Sequence, residues 1–156
     1  MEALVASIVA VIGTLLGSGV THLFQSRAAA RSEHVARAER LRQERIDAYC
    51  AYAGALLDYR RVLVHRWFVL HEEERCDEDS PELREEVYKT RYTAQEAMFR
   101  AQMVTEDPGV LDRTEQVMDA VTELHRVRDR ESFDAVRSAT RQGIRDFIAA
   151  TARQVR

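Results

Sequence analysis

Between residues 65 and 86 the chain gathers most of the side chains that could bind a metal or move a proton. His65, His71 and Cys76 offer nitrogen and sulfur ligands, and nine acidic residues lie between 72 and 86. Their spacing completes no working site. His71-Glu72-Glu73-Glu74-Arg75 starts like a zinc-protease motif, in which two histidines four residues apart share one helix face. Arg75 stands where the second histidine belongs. His65, His71 and Cys76 match no closed zinc spacing. Di-iron bundles need Glu-x-x-His on two helices, and no histidine here has Glu three residues before it. The acidic run lacks the spaced ligands and central glycine of an EF-hand loop, and no phosphate-binding glycine motif or nucleophile elbow occurs. The expectation is therefore no catalytic residue, no metal site and no cofactor. Residues 72–86 read as a solvated loop and helix start, where Glu82, Glu85 and Glu86 favour the helix dipole.

With no chemistry of its own in view, position becomes the main clue. Ala3 to Phe24 reads ALVASIVAVIGTLLGSGVTHLF, free of Asp, Glu, Lys and Arg. About 20 apolar residues at ~1.5 Å rise cross a bilayer core, so the run predicts a transmembrane helix within an anchor of residues 1–26. A secretory signal is disfavoured because the only early charged side chain is Glu2. Arg27, Arg31, Arg37, Arg40, Arg42 and Arg45 follow the span and no Lys or Arg precedes it. The positive-inside rule then puts the N-terminus outside and the bulk of the chain in the cytoplasm, at the inner face of the cytoplasmic membrane. Arg27, Arg31 and Arg37 would lie nearest the anionic headgroups. Gly13-x-x-x-Gly17 removes two side chains from one face of the span, where a second backbone could approach and make a homo-oligomer. His22 falls near the inner interface and reads as a wet residue.

Residues 27–45 form a basic, polar stalk helix in this reading, with Val35 and Leu41 its only large apolar side chains. Residues 46–156 form the cytoplasmic part. Tyr49, Leu56, Leu63 and Leu70 recur every seven residues, with Ile46, Ala53 and Trp67 beside them and Cys50, Leu57 and Val64 widening the stripe. Arg60 falls in this seam and must snorkel or pair. Asp79 or Ser80 and then Pro81 start a second amphipathic segment, with Leu83, Val87, Thr90, Ala94, Met98 and Ala101 facing inward. Asp107-Pro108 starts a third, with Leu111, Thr114, Met118, Val121, Leu124 and His125 inward. Ser132 caps a fourth, with Phe133, Val136, Thr140, Ile144, Phe147, Ile148 and Thr151 inward. The fold class is all-α: an N-terminal transmembrane helix, a long polar stalk helix and an antiparallel four-helix bundle.

Net charge is −3 across 156 residues, with 22 Arg and a single Lys, Lys89, among the 23 basic residues. That balance supplies no basic field for nucleic acid. Cys50 and Cys76 form no CxxC pair, and Cys50 reads as a small core residue. Trp67, Phe68, Tyr49, Tyr52 and Tyr59 on the long helix, with Tyr88 and Tyr92 on the next, exceed what one narrow seam can hold. Some either form an exposed patch for a partner or second subunit, or pack at the rim with hydroxyls in water.

GTLLGSGVTHLFQSR followed by an Arg/Glu-rich stalk and RQERIDAYCAYAGALLDYRR resembles a loose group of uncharacterised single-span proteins from GC-rich actinobacteria. The likeness is best over residues 8–61, and it implies a membrane topology without any known activity or site residues. The chain thus reads as a non-enzymatic, self-associating scaffold anchored in the lipid membrane, with a protein partner left unidentified. Two alternatives are a pore or lesion former whose bundle gates assembly, and a subunit of a large soluble helical assembly.

Overall fold

The computed structural model describes the backbone of residues 2–71 and 79–155, with side chains from residue 31 onward within those limits. Among them are four α-helices and no strand: α1 Glu2–His71, α2 Pro81–Met103, α3 Pro108–Glu123 and α4 Arg130–Gln154. The chain divides into two compact units, Met1–Leu41 and Arg42–Arg156.

In the first unit, residues 31–41 are helical with every side chain exposed, Arg31 and Arg37 included. Val35 and Leu41 are 70% and 51% exposed, as a helix polar on nearly all sides dictates. Gly13, Gly17, His22 and Arg27, with the whole Ala3–Phe24 run, lie outside the residues whose side chains are described. Among the described residues, no helix is long and apolar enough to cross a membrane.

The second unit is a helical bundle around one core. α1 supplies Tyr49, Tyr52, Leu56, Tyr59, Leu63 and Trp67; α2 supplies only Ala94, Met98 and Ala101. Val110, Val117, Met118 and Val121 come from α3, and Phe133, Ile144, Phe147 and Ala150 from α4. Burying each of the Val, Leu, Ile, Met and Phe side chains among them contributes about 1.5–3 kcal/mol. Tyr49 and Tyr52 both meet the Phe147 ring edge-on, at 6.2 and 5.2 Å between centroids.

The buried stripe on α1 is shifted from the heptad expectation. Cys50 is exposed and Leu57 is 51% exposed, whereas Tyr52, Ala55, Tyr59 and Val62 are buried. At 3.6 residues per turn a straight helix drifts from a strict seven-residue repeat. The stripe therefore follows 49, 52, 56, 59, 63 and 67, and α3 comes to lie beside Tyr52 rather than on the Cys50 side. Ile148, 46% exposed, and His125, exposed, are likewise corrections, while Val110, Val117 and Ala150 join the core.

Helix starts follow their caps. Ser80 Oγ accepts from the Leu83 amide at 3.1 Å, and Asp107 Oδ1 from the Gly109 amide at 2.8 Å, with Pro81 and Pro108 leading their helices. α4 is capped by Asp129, whose Oδ1 accepts from the Ser132 amide at 2.8 Å. The expected cap Ser132 lies inside the helix, because Asp129 already satisfies the first free amide.

The far ends of the helices are also tied. Arg42 Nε donates to the Val155 carbonyl at 2.6 Å, and Arg45 Nε to the Val104 carbonyl at 3.0 Å. Two arginines of α1 thus meet the carbonyl-rich C-terminal ends of α4 and α2, where a cation also favours the helix dipole.

Candidate functional site

Several polar groups of the bundle join one helix to another or to a turn, whereas the buried Arg137 Nε has no hydrogen-bond partner among the described residues. Tyr49 Oη lies 2.6 Å from Thr105 Oγ1. The Thr105 hydroxyl itself donates to the Ala101 carbonyl at 2.8 Å, so Tyr49 is the donor in the pair. Tyr52 Oη donates to the Thr114 carbonyl at 2.6 Å. Burial, and secondarily the charge of Asp119, pushes the Tyr52 phenol far above its ordinary value. It therefore remains a neutral donor and cannot serve as a proton acceptor near neutral pH.

Trp67 anchors the opposite end. Its Nε1–H donates to the Val127 carbonyl at 2.9 Å, and its ring stacks on Phe133 at 3.9 Å and on His71 at 4.6 Å. Phe68 meets the Phe133 ring edge-on at 5.7 Å. The Arg130 guanidinium lies 5.2 Å over Phe68 and 5.8 Å over Trp67, and Arg137 lies 5.8 Å over Phe68. Of the two expectations for Arg60, to snorkel or to pair, the second is met by two acceptors, Thr140 Oγ1 at 2.9 Å and the Arg137 carbonyl at 2.8 Å. Burial and then the charges of Arg141 and Arg137 lower the pKa of Arg60 from the usual guanidinium range.

His65 and His71 are exposed, and His71 Nδ1 lies 2.9 Å from the Trp67 carbonyl. Cys76 and residues 72–78 lie outside the described residues. Among the described residues, no group of three or more His, Cys, Asp or Glu could hold a metal ion. Asp79 forms a bidentate pair with Arg66, 2.9 Å from Oδ1 to Nε and 2.6 Å from Oδ2 to Nη2. That hydrogen bonding holds the Asp79 carboxyl below its ordinary range.

One cleft of about 160 Å³ lies beside this pair, with Tyr59 and Leu63 on one wall, Val87 and Tyr88 on the other, and Arg84 and Arg91 at its rim. Small-molecule sites typically enclose about 300–1,000 Å³, so this cleft admits a side chain or a small ion rather than a substrate.

A more distinctive feature is the outer face of α2. Tyr88, Tyr92, Phe99 and Met103 are 68%, 77%, 55% and 79% exposed. Their spacing of four, seven and four puts them on one side of a helix. The sequence expectation counted Tyr88 and Tyr92 among seven aromatics, some of them for a patch or the bundle rim, and did not include Phe99 and Met103; their common spacing is visible in the sequence, but not their exposure. α2 buries Ala94, Met98 and Ala101 inward and presents four large side chains outward.

Comparison with known proteins agrees with the actinobacterial resemblance at a coarse level and sharpens it. Residues 46–155 match the model of a family described as KilB plasmid transfer protein. The protein KilB of Streptomyces lividans is 29% identical over 154 residues, covering 97% of this chain and 98% of that protein. No solved structure matches the chain.

Proposed function

Because the chain belongs to the KilB plasmid transfer protein family, we propose that it is a non-enzymatic helical scaffold for plasmid transfer, anchored in the cytoplasmic membrane. Residues 1–26 span the lipid with the N-terminus outside, and Arg27, Arg31 and Arg37 lie against the inner headgroups. Residues 46–156 form an antiparallel four-helix bundle on the cytoplasmic side. The contacts of Arg42 and Arg45 with the C-terminal ends of α4 and α2 support that up-down-up-down order. The scaffold self-associates, in part through Gly13 and Gly17, and presents its bundle to a protein partner without contacting nucleic acid.

The observation that carries this reading is the use of the bundle's buried polar groups. Tyr52 and Arg60 direct their donors to backbone or hydroxyl groups of α3 and α4, and Tyr49 and Trp67 to the connections that follow α2 and α3. They act as fasteners, while the outward face of α2 carries the unpaired apolar surface. A protein built to be held and touched has this distribution.

The test is fractionation of the full chain beside a chain lacking residues 1–26, together with plasmid transfer between cells carrying each. The full chain is expected in the membrane fraction, resistant to alkaline carbonate and released by detergent. The shortened chain is expected in the soluble fraction, with transfer reduced. A full chain found in the soluble fraction without detergent overturns the anchor, and undiminished transfer by the shortened chain overturns its role.

A further inference from the structure

We propose that the outer face of α2 is a self-association surface on which a second copy of this chain seats its own α2 antiparallel. The proposal takes up the self-association read above and gives it a surface in the bundle, separate from Gly13 and Gly17.

Tyr88, Tyr92, Phe99 and Met103 are all more than half exposed. At about 100° per residue they lie within a stripe ~60° wide and ~22 Å long. Side chains of this size cover on the order of 150 Å² each, so the stripe offers roughly 500 Å² per copy. Adding its charged borders brings the contact toward the ~800 Å² per partner of a standard interface.

The borders identify the occupant. Lys89 and Glu96 lie along one border, seven residues apart and therefore on the same side of the helix. When Tyr88 of one copy faces Phe99 of the other, Tyr92 faces Gln95 and Lys89 comes within two residues, ~3 Å along the axis, of Glu96. Two-fold symmetry makes each of these contacts twice. Arg84 and Arg91 lie along the other border, on the side where α3 packs. Gln102 Nε2 donates to Thr114 Oγ1 at 2.9 Å and to Glu115 at 3.3 Å, which sets the height of α3 against α2. Arg91 and Gln95 share a groove with Glu115, Asp119 and Glu123. In the same register Arg84 of one copy reaches the level of Glu115 on the other, and Arg91 the level of Asp119. Both borders are then complementary in a single arrangement. An apolar lipid surface or the Ala3–Phe24 run offers no such match, since the latter carries no charged side chain.

The test uses the full chain in detergent carrying Gly13→Ile and Gly17→Ile, so that association through the span is removed, with mass read by light scattering. A dimer is expected. Lys89→Glu alone and Glu96→Lys alone are each expected to weaken it about tenfold. An equimolar mixture of the two single variants is expected to dimerise again. In the mixed pair the two introduced charges, which are opposite in sign, face each other, and the unchanged Lys89 of one copy faces the unchanged Glu96 of the other. Far-UV circular dichroism checks that every variant keeps its helix content. A dimer indifferent to both charge variants and to a Tyr92→Ala, Phe99→Ala double variant overturns the α2 surface while leaving self-association standing. A monomer in the Gly→Ile background overturns it too, and a dimeric wild type would then assign association to the span. Unchanged mass combined with weaker binding of anionic vesicles in the double variant gives the stripe to lipid instead.

Discussion

The Tyr52 hydroxyl and the Thr114 carbonyl, 62 positions apart in the chain, meet at 2.6 Å where neither residue touches solvent. This bond fastens α1 to α3 and fixes which side of α1 is buried. Tyr52→Phe keeps the ring against Phe147 and removes only the donor, so it is expected to cost about 1 kcal/mol, read from the urea midpoint. The pH dependence has a definite sign. Below 10.0 the phenol is neutral in both states and its contribution is fully present. Above 10.0 the unfolded chain ionises while the folded phenol, raised by burial, keeps its proton. Stability therefore falls as pH rises from there toward the folded value, and Tyr52→Phe removes that part of the alkaline loss.

Asp79 and Arg66 tie the start of α2 to α1 by two hydrogen bonds, with both side chains under a quarter exposed. The Asp79 carboxyl is held below its ordinary 3.8 chiefly by the Arg66 hydrogen bond. Its contribution is present above that value and lost as pH falls through the lower folded one. Asp79→Asn is expected to lose about 1 kcal/mol at pH 7. The gap from wild type should narrow in acid, as denaturant titrations at pH 7 and near pH 3 would reveal.

Asp129, and not Ser132, caps α4. Asp129→Ala is expected to cost about 0.5–2 kcal/mol, whereas Ser132→Ala, inside the first turn, is expected to stay within about 0.5 kcal/mol. Thermal unfolding of the two variants distinguishes the positions, and a larger loss at Ser132 would contradict the observed cap.

Gly54 lies in the interior of α1, and a Cβ added there meets nothing within 4 Å. Gly54→Ala is expected to stabilise by about 0.5–1 kcal/mol, because alanine restricts the unfolded chain and improves helix propensity. Denaturant unfolding measures the gain. A loss would mean that the exposed surface around Gly54 receives a close-fitting partner.

Much of the framework is legible in the residues. Pro81 and Pro108, each behind a capping side chain, mark two helix starts, and the spacing of Ala94, Met98 and Ala101 marks the inner face of α2. These signals are local: a cap satisfies amides within one turn, and a 3.6-residue period is written along a single helix. The polar run from Arg31 to Leu41 is equally plain, since a helix with no apolar face has nothing to bury.

Other features depend on neighbours that no single helix encodes. Cys50 and Leu57 are as apolar as Ala53 and Leu56, yet they are exposed because the adjacent helices sit on the Tyr52–Tyr59 side. His125 shares the spacing of the inner residues of α3, but it follows the last turn of that helix and faces outward. Arg60 lies in an apolar seam, and packing gives it Thr140 and the Arg137 carbonyl as acceptors. The outward stripe of α2 is the sharpest case. Tyr88, Tyr92, Phe99 and Met103 have the spacing of a buried face, so periodicity alone cannot distinguish that stripe from the one containing Ala94, Met98 and Ala101. Composition and period record that a helix has an apolar side. Which side turns inward depends on the summed packing and hydrogen bonding of all four helices together.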